Sequence, residues 1–407
     1  MDYVAGWLMK AADYGTRTNA VAAFVATNSI CQGQQVPILW PLIFQTQHEI
    51  VFAYTSFKWA NLASHNAGVT VVIVGLSNHS GKPRHLFTVT NDESIVVKNA
   101  DNINAYLTPG PNKEVHGRVK PLSDVSIMQF GNHPYYGTDL IFSVYEAKLM
   151  REQAPASSRF IRPLYGSKEF IDCAPRACFW ITADEAKEAS AIVPIATRLE
   201  LVARARRAAT QDKGAQRLAG TPYKFRDQIS AKQHTLIVPR VSSENRSFMP
   251  VGLLNSEAVI QDRAFALYDA PLWNMALIAS RLHWVWIATV CVRLEMRFSY
   301  SNTLGWNTFP VPALTEKNKA YLTRCAEDIL LAREHHFPAT IADLYDPDTM
   351  PDDLRQAHER NDEVLERIYI GRRFKNDTER LEKLFDLYTK MTTDASGDGK
   401  RRAGGIK

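Results

Sequence analysis

A chain of 407 residues, 45% apolar and 22% charged, has the composition of an ordinary globular protein with room for two or three domains. No apolar run approaches the roughly 18 residues of a membrane span, and the N-terminal MDYVAGWLMKAADYG lacks the charged n-region and cleavage site of a secretory signal. The net charge of +5 is uneven: residues 198–246 carry eleven Lys/Arg against four acids, a local +7 of the kind that meets a polyanion.

In chain order, residues 2–14 have the helical spacing of Val4, Trp7, Leu8 and Ala11 or Ala12. VAAFVATNSI (21–30) is a continuous apolar run, which predicts a strand covered on both faces. QQVPILWPLIFQTQ (34–47) reads as a helix broken or kinked at Pro41. EIVFAYTSF (49–57) and GVTVVIVGL (68–76) are two further strands. From 91 to 155 the pattern loosens around the turn signals TPGPN and GNHPYYG. A long basic helix is expected over 184–215, then short strands, then helices from 315 onward. The tail TTDASGDGKRRAGGIK is Gly-rich and charged, which predicts disorder.

Between the short strands and the helices lies TVCVRLEMRFSYSNTLGWNTFPVP (289–312). Read as one strand, it places Arg293, Glu295, Arg297 and Ser299 on one face and Leu294, Met296, Phe298 and Tyr300 on the other. The charges are then either a solvated face or a set of base-reading groups. The five cysteines contain no CxxC pair and the eleven histidines no HExxH, so reduced cytoplasmic thiols and no metal are expected.

Several landmarks occur together and in order: DYVAGW, TNSI, the aromatic loop before VVIVG, KPLSDVSIMQFGN, RFIRPLYGSKEF, VPRVSSENR and YSNTLGWNTFPVP. In these the chain resembles the type IIL (MmeI-like) restriction–modification enzymes, over nearly its whole length. The resemblance implies an α/β fold: a partial Rossmann-like methyltransferase sheet, an α+β target recognition domain and a small all-α C-terminal domain. The corresponding boundaries are 1–90 for the methyltransferase part, 91–155 for a connecting region, 156–314 for recognition, 315–392 for the helical domain and 393–407 for the tail.

Adenine-N6 methyltransferases of this kind bind S-adenosylmethionine through a Gly-rich loop and hold the target amine with an Asn-Pro-Pro-aromatic motif. Neither is found in these residues. Asn132-His133-Pro134-Tyr135 is the nearest match, but it lies downstream of the expected place and has the wrong second residue. The chain therefore reads as beginning just after the catalytic motif, with an upstream methyltransferase half or catalytic subunit as its partner. Phe57 is the position that stacks on a flipped adenine, with Asn28 and Ser29 lining the pocket at a strand's carboxyl end.

In the recognition region the resemblance assigns Glu295 and Arg297 to one base pair. A carboxylate accepts from cytosine N4, and an arginine donates to guanine O6 and N7. Arg293 belongs to the same group, and Arg240, Ser242, Ser243, Asn245 and Arg246 are candidate phosphate or base contacts. The expected function is thus the sequence-recognising part of a site-specific DNA adenine-N6 methyltransferase acting on double-stranded DNA. The alternatives are a non-enzymatic specificity subunit and a remnant without function.

Overall fold

The computed structural model describes residues 2–59, 69–79, 81–90, 94–243, 245–294 and 297–402. Its first part is a five-stranded sheet with α1 (Val4–Gly15) and α2 (Val36–Gln45) packed against it. The strands are β1 (Ala22–Thr27), β2 (Glu49–Lys58), β3 (Thr70–Ser77), β4 (Arg84–Val89) and β5 (Ile95–Ala100), in the order β1-β3-β2-β4-β5. β3 runs antiparallel to both neighbours, and β2 and β4 are parallel. Val72 and Val74 of β3 are fully buried, as befits an inner strand.

Two local expectations fail here. β1 is not covered on both faces: Ala23, Val25 and Thr27 are exposed at alternate positions along one face, and β1 lies at the sheet edge, where β3 alone pairs with it among the described residues. Nor does Pro41 break α2, which runs from Val36 to Gln45 with the proline inside it. Burial of Val36, Leu39, Trp40 and Ile43 holds the helix together across the lost hydrogen bond.

The middle of the chain forms three small sheets. One joins Gly252–Asn255, His234–Pro239, Ala264–Tyr268 and Gln129–Phe130, all antiparallel. A second joins Val259–Ile260, Ile161–Tyr165, Arg176–Phe179 and Ile141–Phe142. The third contains Val241–Ser242, Arg297–Ser299 and Arg293–Leu294. The single basic helix expected over 184–215 is three: Ala186–Ser190, Val193–Ala208 and Lys213–Leu218. Pro194 in the first turn of the second helix and the Asp212 cap of the third, which accepts from the N–H groups of Gly214 and Ala215 at 2.9 and 3.1 Å, explain the breaks.

Three long helices, Glu316–His335, Asp352–Ile370 and Asp377–Arg402, close the chain, the last one entering the segment whose composition predicts disorder. One core cluster extends from Leu8 of α1 through Leu236 and Trp286 to Leu384, so the first sheet, the middle region and the final helices share an interior. Among the described residues, no helix is long and apolar enough to cross a membrane.

Candidate nucleic-acid interface

The stretch 289–300 is not one strand. Arg293–Leu294 and Arg297–Ser299 pair antiparallel as a hairpin, with Arg293 opposite Phe298 and Leu294 opposite Arg297. The alternating face expected for Arg293, Glu295, Arg297 and Ser299 is therefore absent, since the chain reverses between positions 294 and 297. Glu295 itself lies outside the described residues. Arg297 is exposed on the hairpin, and the Arg293 guanidinium lies 4.6 Å from the centre of the Phe298 ring. Phe298 in turn packs edge-on against Trp284 at 4.6 Å.

The residues after the hairpin have a different task. Trp306 Nε1 donates to Ser126 O at 2.8 Å, and Asn307 Nδ2 donates to Arg118 O and Val119 O at 2.8 and 3.0 Å. Tyr300 Oη and His283 Nε2 are 3.1 Å apart in a fully buried contact, where burial drives the phenol's pKa up and the imidazole's down to about 4. SYSNTLGWNTFPVP is thus a staple that fixes the hairpin's root to the core.

Val241–Ser242 pairs with Ser299 and Phe298 and extends this small sheet toward the 243–247 loop. Ser242 is buried, Ser243 half-buried and Asn245 exposed. Arg246 is half-buried, its pKa lowered by burial against the opposing charges of Asp346 and Asp172. Arg240 is engaged inside the protein: its Nη1 donates to Asp262 O at 2.8 Å, and its guanidinium sits 4.8 Å from the Phe130 ring.

Arg206, in the basic region, is fully buried and donates to the carbonyls of Pro134, Tyr135, Leu218, Thr221 and Lys224 at 2.6 to 3.1 Å. Burial lowers its pKa to about 10. It is a structural cross-link and no part of a charged surface. Asn132 is equally committed, with Nδ2 donating to Ile229 O and Ile260 O and Oδ1 accepting from Ile229 N at 2.7 Å. Asn132 is also fully buried, so its amide is out of reach of a target amine, in keeping with its rejection as a catalytic asparagine.

On the first sheet, β2 carries a bulge between Tyr54, which faces Ile73, and Phe57, which faces Val71. Three residues on β2 span two on β3, so Tyr54 and Phe57 emerge on the same side. Phe57 lies 6.3 Å from Tyr54 and 6.4 Å from the partly exposed Trp59, and Tyr54 stacks on Phe87 at 4.5 Å. Asn28 and Ser29 open the short turn Asn28–Cys31 at the carboxyl end of β1. Asn28 is buried, yet its Nδ2 has no hydrogen-bond partner among the described residues, while Ser29 Oγ is 3.0 Å from Thr27 Oγ1.

Of the site residues expected from the sequence, Asn245, Arg246 and Arg293 line one cleft of about 570 Å³, whereas Phe57, Asn28, Ser29, Arg240, Ser242, Ser243 and Arg297 lie outside its lining. Gln32 and the bulged Thr55 and Ser56 form one wall, and Asn245, Arg246, Arg293 and Phe298 form another. Arg281 and Asp377 close it from the helical side. The sequence reading missed Gln32, Thr55 and Arg281. The one available signal was Arg281 as a cation in the otherwise apolar run WNMALIASRLHWVWIATV. Arg246 and Arg293 line the cleft beside the Arg281–Asp377 ion pair, an arrangement able to contact a phosphate backbone.

Residues 1–88 match the family model described as MmeI, DNA-methyltransferase domain; residues 109–313 match MmeI, target recognition domain; and residues 314–395 match MmeI, C-terminal domain. The chain is 38% identical over 392 residues to DNA methyltransferase A of Bacillus subtilis (strain 168), covering 96% of this chain and 44% of that protein. It superposes with a TM-score of 0.88 on the solved structure of the type IIL restriction–modification enzyme MmeI in complex with DNA, at 32% identity over 97% of this chain and 53% of that one. The chain thus spans about half the length of the relatives it matches.

Proposed function

The chain belongs to the MmeI family, and from that membership we propose that it is the sequence-recognising part of a site-specific DNA adenine-N6 methyltransferase of a restriction–modification system. The observation that carries this is the shared cleft, where the bulge before Phe57 faces the hairpin of Arg293 and Arg297 and the loop of Asn245 and Arg246. The order β1-β3-β2, antiparallel at β3, supports reading residues 1–90 as the end of a Rossmann-like methyltransferase sheet. The recognition part, expected over 156–314 after a connecting region 91–155, also takes in Gln129–Phe130 and Ile141–Phe142, whose strands pair within its sheets, in keeping with the family match over 109–313; an all-α domain follows over 315–392.

In this reading double-stranded DNA runs across the mouth of the cleft, where Arg246 and Arg293 meet phosphate. Outside the cleft lining, Arg297, on the hairpin face opposite Arg293, reaches a base edge with Glu295, and Phe57, beside the β2 bulge, stacks on the extruded adenine. Asn28 offers that adenine a buried donor without a partner. The complete enzyme uses S-adenosylmethionine, but the residues present here do not fit that group. The turn after β1 reaches its first glycine at Gly33, which is packed against Val292, so no step through the cofactor is assigned to this chain. The position of β1 at the sheet edge, with β3 its one strand partner among the described residues, and the exposed Val25 on its face support contact with an upstream methyltransferase half. Cys31, Cys173, Cys178, Cys291 and Cys325 are all free thiols, which supports a cytoplasmic setting.

The test is duplex binding followed across salt concentrations. Affinity should fall on a log–log plot with close to one unit of slope per phosphate neutralised. A flat response, or no binding by the soluble folded chain, removes the nucleic-acid reading.

A further inference from the structure

Among the described residues, the hairpin of Arg293 and Arg297 pairs two residues on each strand within itself, too few to hold a position alone. Its outer strand leans on Val241–Ser242, inside the recognition region. Its root leans on the first sheet. The Arg293 backbone N–H donates to Gln32 Oε1 at 3.2 Å, and Gln32 is only 7% exposed. The neighbouring Gly33 has a φ of +64°, and a Cβ there would come within 2.4 Å of Val292 Cγ2. Glycine is therefore demanded twice, by the backbone angle and by the approach of the hairpin.

Gln32 and Gly33 continue the turn that begins with Asn28 and Ser29 at the end of β1. That turn is itself fixed from behind, since the fully buried Trp40 donates through Nε1 to Ile30 O at 2.7 Å. One rigid turn thus carries the candidate pocket residue Asn28 at its start and holds the hairpin root at its end.

We propose that Gln32 and Gly33 are positioning residues that set the offset between the base pair read by the hairpin and the base drawn to the end of β1. The proposal rests on the DNA-recognition reading above. Because Gln32 grips a backbone N–H, the grip is independent of which side chains the hairpin carries. Bases can then be read by changing hairpin side chains while the hairpin stays in register with the pocket.

The experiment measures the affinity of the whole chain for its selected duplex and for single-base variants of it, together with thermal stability. Gln32→Met keeps length and volume but removes the acceptor. It should lower discrimination at the hairpin-read base pair by about tenfold, a larger loss than the one it causes in affinity for unrelated duplexes. Gln32→Glu restores an oxygen acceptor and should return most of that discrimination. If Gln32→Met fails to fold, Val292→Ala loosens the same junction and should lower the same ratio.

Discrimination in Gln32→Met equal to that of the parent, or a Gln32→Glu variant no better than Gln32→Met, overturns the proposal. In the fallback, Val292→Ala with parental discrimination does the same. A parent chain that binds all duplexes alike overturns the recognition reading beneath it, which the parental measurement alone reveals.

Discussion

Arg281 holds Asp377 through two bonds, Nη2 to Oδ2 at 2.5 Å and Nε to Oδ1 at 3.2 Å, and so ties the last helix to the floor of the cleft. Burial opposes ionisation of Asp377, but Arg281 and Arg380 outweigh it and keep the carboxyl below its ordinary value. The backbone N–H of Arg281 meanwhile donates to Asp362 Oδ1 at 2.6 Å.

Asp362 behaves oppositely. Burial pushes its pKa up to about 7, aided by the nearby Glu366 and opposed by the Arg281 N–H and the Arg380 and Arg281 charges. The folded state then holds a proton that the unfolded chain releases near pH 4. Between about pH 4 and 7, stability contributed by this group falls as pH rises, by up to about 1.4 kcal/mol per unit. Asp362→Asn keeps the acceptor for Arg281 and should gain stability over the parent across that window. Denaturation of both proteins at pH 5 and pH 8 checks this: a constant difference between them would contradict it.

Arg206 separates a structural cation from a DNA-facing one. Arg206→Met leaves carbonyls of Pro134, Tyr135, Leu218, Thr221 and Lys224 without their donor, and should cost about 3 kcal/mol or more. Arg297→Ala, at an exposed position, should leave stability within about 0.5 kcal/mol and weaken duplex binding instead. Urea melts and anisotropy titrations on both variants distinguish the two roles.

What the sequence made legible was the kind and order of elements: α1, β1, α2, β2 and β3 all occur where their patterns place them. Less legible were features decided by contacts distant in sequence. The apolar run of β1 is silent about which edge of the sheet it occupies, and Pro41 sits in a helix that buried neighbours hold intact. The run from Arg293 to Ser299 alternates like a strand, yet Arg293–Leu294 pairs with Arg297 and Phe298, and Phe298–Ser299 pairs with Val241–Ser242. A local +7 in 198–246 could not reveal that Arg206 and Arg240 are engaged with backbone carbonyls and rings. Gln32 carried no signal at all, because its partner is a backbone N–H located 261 residues away.

Phe57 should matter for turnover more than for binding. With an upstream methyltransferase half supplied, Phe57→Ala removes the face beside Tyr54 and Trp59, a loss of roughly 1–3 kcal/mol per stacked base. Methyl incorporation should drop about tenfold or more while duplex affinity changes little. Unchanged turnover would make Phe57 a sheet-end plug.

The most direct measurement of sequence reading at the hairpin is selection of duplexes from a random pool by the parent chain and by the double variant Glu295→Lys, Arg297→Asp. If an acceptor faces cytosine and a donor faces guanine, reversing the two charges should change the preference from C·G to G·C at one position and leave the rest of the site intact. A double variant that selects the parental sequence unchanged would contradict readout by this hairpin.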